Sequence, residues 1–122
     1  MLDIHVKEPG IIQIELNGEI DAAAMESGLN RLVELCEDLK NGKLFYRISD
    51  FKMPTLAALG VEFMMLPKLF GLISKVDKAA VLTNEGWIAK ASVIEGALIP
   101  GLEIRAFGLE EEGAAMDFLK GG

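Results

Sequence analysis

The stretch Tyr46–Met65, "YRISDFKMPTLAALGVEFMM", decides the fold, because it opens as a strand and turns into a helix within one short loop. Its strand belongs to "KLFYRISD", Lys43–Asp50, and its helix begins after Pro54, a residue suited to an early helical position. The same strand-then-helix unit recurs twice. "KAAVLT" precedes "NEGWIAKASVIEGAL", and "LEIRAFG" precedes "LEEEGAAMDFLK". A βαβαβα series implies parallel strands joined by helical crossovers.

Upstream, Leu2, Ile4 and Val6 alternate with Asp3, His5 and Lys7, and Ile12, Ile14 and Leu16 alternate with Gln13, Glu15 and Asn17. This period of two marks half-buried strands, and the short turn at Glu8-Pro9-Gly10 predicts an antiparallel hairpin. Asp21 is placed to cap a helix whose apolar stripe runs through Met25, Leu29, Leu32, Val33, Cys36 and Leu39, with a left-handed stop expected near Asn41-Gly42. In the last helix Glu110, Glu111 and Glu112 at the start and Lys120 at the end match the helix dipole. Alternation in the first two strands and in "LEIRAFG" indicates that one sheet face is fully covered by helices. The expected architecture is a two-layer α/β domain, with a mixed, mostly parallel five-stranded sheet, an N-terminal antiparallel hairpin and about four helices mainly on one face.

Composition narrows the function. A chain of 122 residues fits a single domain, residues 1–122, with 51% hydrophobic and 25% charged residues. A net charge of -7 without a local basic cluster argues against nucleic acid. Cys36 has no second cysteine to pair with and falls on an apolar helical stripe, where it reads as a small hydrophobe. The N-terminus enters a strand pattern at once, with neither a basic start nor an apolar signal core, so a cytoplasmic location is expected. The apolar run 56–73 contains Glu62, Pro67 and Lys68, which argue against a transmembrane segment.

Sites are sought where parallel strands end and helices begin. The first such loop offers Ser49, Asp50 and Thr55, and the second offers Asn84, Glu85 and Trp87. Asp50, Thr55, Thr83 and Asn84 are also residue types that cap helices, and Trp87 also reads as a core anchor. His5 has no second histidine and no evident nucleophile, so neither a metal site nor a catalytic relay is built on it. There is no phosphate-cradling glycine motif, and no cofactor or metal is expected.

The anomaly is "TLAALGVEFMMLPKLFGLIS", where apolar residues surround the helix instead of forming one stripe. Phe63, Met64, Phe70 and Trp87 are the candidate lining of an interface or an apolar ligand site. Three coverings are considered, packing within the chain, a homodimer, or a small apolar, lipid-like molecule, and a homodimer through this helix is the expected oligomeric state.

The order of these elements, with "NGEIDA", "YRISDFKMPTLAALGVEF", "KAAVLTNEGWIAKA" and "PGLEIRAFGLEEEGAAMDFLK", resembles the SpoIIAA-like family, whose fold is shared with STAS domains and anti-sigma-factor antagonists. The resemblance covers nearly the whole chain. It implies a bacterial, non-enzymatic binding or regulatory module with a protein partner. In the phospho-switch antagonists the corresponding loop reads Asp-Ser-Ser-Gly. Aligned on the shared Leu-Gly-Val, Thr55, Leu56, Ala57 and Ala58 stand at those positions, so an apolar residue replaces the switch serine and Thr55 is the neighbouring hydroxyl. The alternatives are a carrier of an apolar ligand and, third, an enzyme in which Asp50, Glu62 or Glu85 meet in a cleft.

Overall fold

A computed structural model describes residues 2–51, 57, 60, 64, 71, 75–86, 88–90 and 101–121. Thr55, Phe63, Phe70 and Trp87 lie outside the described residues, as does most of the 56–73 run. The elements are β1 (Leu2–Glu8), β2 (Ile11–Gly18), α1 (Ala22–Cys36), β3 (Gly42–Phe51), β4 (Val76–Leu82), β5 (Glu103–Phe107) and α2 (Glu112–Gly121). The five strands form one sheet in sequence order. β1 and β2 are antiparallel, and every later neighbour is parallel, as the strand-then-helix repeat requires.

Gly10, at φ 84°, closes the β1–β2 turn and sets Ile4 opposite Ile14 and His5 opposite Gln13. Alternation then places Leu2, Ile4, Ile12, Ile14 and Leu16 beneath α1. α1 starts where its cap predicts, with the Ala24 N–H donating to Asp21 Oδ1 at 2.8 Å. Gly28 lets the helix lie against β1, since a methyl group there would meet the Leu2 side chain.

The helix ends at Cys36, short of the expected Asn41-Gly42 stop. Asn41 is left-handed at φ 53°, but its turn leads into β3. Leu39 leaves the helix, donates its N–H to Cys36 O at 3.1 Å and packs onto the core from the connection. Gly42 then donates to Lys75 O at 2.8 Å, in a space where an added Cβ would lie 2.8 Å from Leu39 Cδ1 and 3.0 Å from that carbonyl. Close approach, not helix termination, explains the Asn-Gly pair.

The layers also differ in part from the expected one-sided cover. α1 and the helical residues around Ile88 share one face, the latter over Ile48 and Val81. α2 lies on the other, where Ala115, Phe118 and Leu119 bury Ile11, Phe45, Ala80 and Leu82. The cause is legible in Ala79–Leu82, a continuous apolar run with Ala79 and Val81 on one face and Ala80 and Leu82 on the other. Among the described residues the sheet is thus two-layered over β1 and three-layered over β3–β4. Lys120 Nζ, 2.9 Å and 2.8 Å from the two carboxylate oxygens of Glu8, ties the end of α2 to the hairpin. Among the described residues, no helix is long and apolar enough to cross a membrane.

Candidate functional site at the strand ends

The two loops that the sequence marked leave the carboxyl ends of β3 and β4, beside that of β5. β2 and β3 run in register as far as Asn17 opposite Ser49, after which Gly18 pairs with Phe51. Asp50 is therefore an extra residue, the bulge at which β3 leaves the sheet. It sits at φ 46°, opposite Gly18 at φ 73°. Glycine adopts that conformation freely, whereas an aspartate adopts it only at a cost that its surroundings sustain. Ser49 is half-buried and Asp50 exposed.

On the next strand, Thr83 is buried and its N–H donates to Phe107 O at 2.9 Å, extending the β4–β5 contact by one residue. Its Oγ1 accepts from Glu85 N at 3.1 Å, turning the chain into the helical residues that begin at Gly86. The carbonyl of Glu85 accepts from Ile88 N at 3.1 Å and Ala89 N at 3.2 Å, leaving its side chain exposed. Asn84 Oδ1 accepts from Leu109 N at 3.3 Å, and Glu111 Oε1 from Gly108 N at 2.7 Å. Asn84 thus clamps the loop after β4 to the loop after β5.

Of the residues singled out from sequence, Ser49, Asp50, Asn84 and Glu85 share one end of the sheet, on adjacent strands. Asp50 and Glu85 present carboxylates to solvent. Met64 is helical and 82% exposed, and Ala57, Gly60 and Gly71 are exposed helical residues of the same run. Ala57, at a serine position of the phospho-switch loop, is thus a surface position with no hydroxyl.

The remaining reactive side chains do not join this site. His5 Nδ1 lies 3.3 Å from Asp3 Oδ2 on the polar face of β1. Cys36, the last residue of α1, is buried against the sheet, and burial pushes its thiol above its ordinary value while Lys75 pulls the other way. Among the described residues, no group of histidine, cysteine, aspartate and glutamate is arranged to hold a metal ion.

The topology and the gathered loops define a mixed-sheet α/β domain with its candidate surface at the carboxyl ends of the parallel strands. Residues 11–120 match the SpoIIAA-like family, and the chain belongs to it. An uncharacterised protein from Shewanella loihica PV-4, described as having a SpoIIAA-like fold, is similar in structure, with a TM-score of 0.73 at 15% identity over 98% of this chain and 92% of that one. At that identity the likeness is one of fold. No curated protein matches the chain.

The bulge was not visible in the sequence. A strand pattern running through "RISDF" gives no sign that Asp50 is the residue squeezed out of register, and only the mismatch between Asn17–Gly18 and Ser49–Phe51 reveals it. Arg31 was likewise missed. Its Nε donates to Ile4 O at 2.6 Å from a surface position on α1 with no motif around it.

Proposed function

We propose that the chain is a non-enzymatic binding module that docks a protein partner at the carboxyl end of its sheet. The observation that carries the reading is Asp50, an exposed non-glycine residue held left-handed at the bulge where β3 opens into its loop. Strain kept at a surface position, with a carboxylate pointed at solvent, suits recognition better than folding. Glu85, in the loop after the neighbouring strand β4, adds a second carboxylate to the same end, and the exposed Met64 of the following run is an adaptable apolar side chain open to a partner. Two exposed carboxylates at this end fit a partner that offers a basic residue, and an exposed methionine fits one that also offers an apolar patch.

Catalysis is not part of the proposal, because general acid or base work calls for carboxylates drawn into a cleft, and Asp50 and Glu85 are solvated. The exposure of Met64 favours a docked protein over an apolar ligand enclosed by the fold. The test is quantitative affinity purification from the native cells, comparing the natural chain with Asp50→Lys and Met64→Glu, each first shown to be folded. The proposal expects one protein enriched by the natural chain and depleted by both variants. Equal recovery with all three removes this surface from the function. A bound apolar molecule in native mass spectrometry of the fresh protein would favour the carrier reading instead.

A further inference from the structure

The Asn41-Gly42 pair, which serves neither as a helix stop nor at the Asp50 end, carries chemistry of its own. In an asparagine-glycine pair the backbone nitrogen reaches the side-chain amide with least obstruction, because glycine has no Cβ in the way. Asn41 is exposed and left-handed at φ 53°, and Gly42 is buried at the start of β3. The Gly42 N–H donates to Lys75 O at 2.8 Å, and Lys43 N donates to Gly10 O at 2.9 Å. The chain is thus pinned to the entry of β4 on one side and to the β1–β2 turn on the other. Just upstream Leu39 packs on the core, so that Lys40 and Asn41 alone join one fixed point to the next. There is no slack between them, since a Cβ on Gly42 would already lie 2.8 Å from Leu39 Cδ1 and 3.2 Å from Leu39 Cβ.

We propose that Asn41 is a modification site that the fold holds closed and that opens when the chain unfolds. In the reaction the Gly42 nitrogen gives its proton to solvent and attacks Asn41 Cγ. A C–N bond forms, Nδ2 leaves as ammonia, and a five-membered imide results. Water then opens the imide at one of two carbonyls. Cleavage at Cγ gives aspartate with its backbone unchanged. Cleavage at the backbone carbonyl carbon of residue 41 gives isoaspartate, whose main chain runs through Cβ and Cγ and is one atom longer. In the folded protein Lys75 O holds the proton that must leave, so the reaction waits for local opening. The two products then part. Aspartate tolerates the left-handed backbone, and its charge lies beside Lys43, whose Nζ donates to the Asn41 carbonyl at 2.9 Å. Isoaspartate inserts an atom where Leu39 and Gly42 leave no room, so Gly42 cannot keep Lys75 O while Lys43 keeps Gly10 O. A chain that stays unfolded is thus converted into one that does not return to the fold.

The full chain, held at mildly alkaline pH with and without guanidinium chloride, tests this. Peptide mapping by mass spectrometry follows the loss of ammonia at Asn41, with aspartate and isoaspartate separated by chromatography. Asn41 should react at least about tenfold more slowly in the folded protein. The unfolded reaction is then stopped early, so that few chains carry two lesions, and the chains are refolded and passed over a sizing column. The folded fraction should keep aspartate at position 41 in its starting proportion and be depleted several-fold in isoaspartate. Asn17-Gly18, the other such pair, is read from its own peptide and does not enter the ratio. Asn41→Asp should unfold at a midpoint near that of the natural chain, which separates the added charge from the longer backbone. Equal rates with and without denaturant overturn the proposal. So does isoaspartate recovered in the folded fraction as fully as aspartate, or an Asn41→Asp variant that fails to fold. The pair lies at the opposite end of β3 from Asp50, and failure here leaves the proposed function untouched.

Discussion

Replacing Asp50 by valine separates the bulge from an ordinary strand end, because the two geometries predict opposite signs. In a regular exposed strand position valine is the better residue, by a fraction of the roughly 1 kcal/mol that spans strand preferences. At φ 46° the branched Cβ of valine is forced against the backbone, and the left-handed conformation costs about 1–2 kcal/mol, more than the strand preference returns. Asp50→Val should therefore destabilise the protein by about 1 kcal/mol net, although the side chain is exposed. With a urea m-value of about 2 kcal/mol/M, that is a fall in midpoint of roughly 0.5 M at unchanged slope. Asp50→Gly relieves the Cβ contact but frees the unfolded chain, and the two effects should cancel to within about 0.5 kcal/mol. Urea unfolding followed by circular dichroism reads both. A neutral or stabilising Asp50→Val would refute the bulge geometry. Asp50→Gly has a second use, since it removes the carboxylate without loss of stability and isolates the contribution of that group to binding.

Asp21→Ala should cost about 1 kcal/mol by removing the acceptor for the Ala24 N–H, and Asp21→Asn should recover most of it in the same unfolding assay. Leu119→Ala, in the layer that α2 makes over Phe45 and Leu82, should cost about 2–5 kcal/mol. A cost typical of a surface position would mean that α2 does not close this face. The Cys36 thiol should resist a thiol reagent until the protein is unfolded. Because its folded value is raised above the ordinary 9.0, the unfolded chain gives up its proton first. The thiol's contribution to stability is thus complete below pH 9.0 and falls as the pH rises above it, a slope that Cys36→Ala should abolish in pH-dependent unfolding.

Local signals carried most of the fold. Alternation in Leu2–Lys7 and Ile12–Asn17 defined a hairpin whose register the structure keeps, and Asp21 stood where α1 begins. What sequence patterns left open were matters of tertiary contact. The stripe through Leu39 looked helical because Leu39 is indeed packed on the core, but from a connection and not from the helix. The Ala79–Leu82 run is buried on two faces, a pattern of the inner strands that alternation in the outer ones does not show. At the site, the position of Asp50 followed from the strand-loop-helix order, while its left-handed backbone arose from the pairing of two strands with unequal residue counts. Of Thr83 and Asn84, both readable as helix caps, Thr83 supplies the oxygen that this turn needs and Asn84 reaches instead to the Leu109 N–H of a neighbouring loop.

Site-specific photo-crosslinking in the native cells tests most directly that the carboxyl end of the sheet is the working surface. A photoreactive residue is placed in turn at Asp50 and Met64, and for comparison at Lys40 and Glu103, which are exposed away from that end. The account predicts one dominant protein adduct at the first two positions, not seen at the others, with a purified partner that binds the natural chain and is weakened by Asp50→Gly. Adducts equal at all four positions, or absent from Asp50 and Met64, would contradict it.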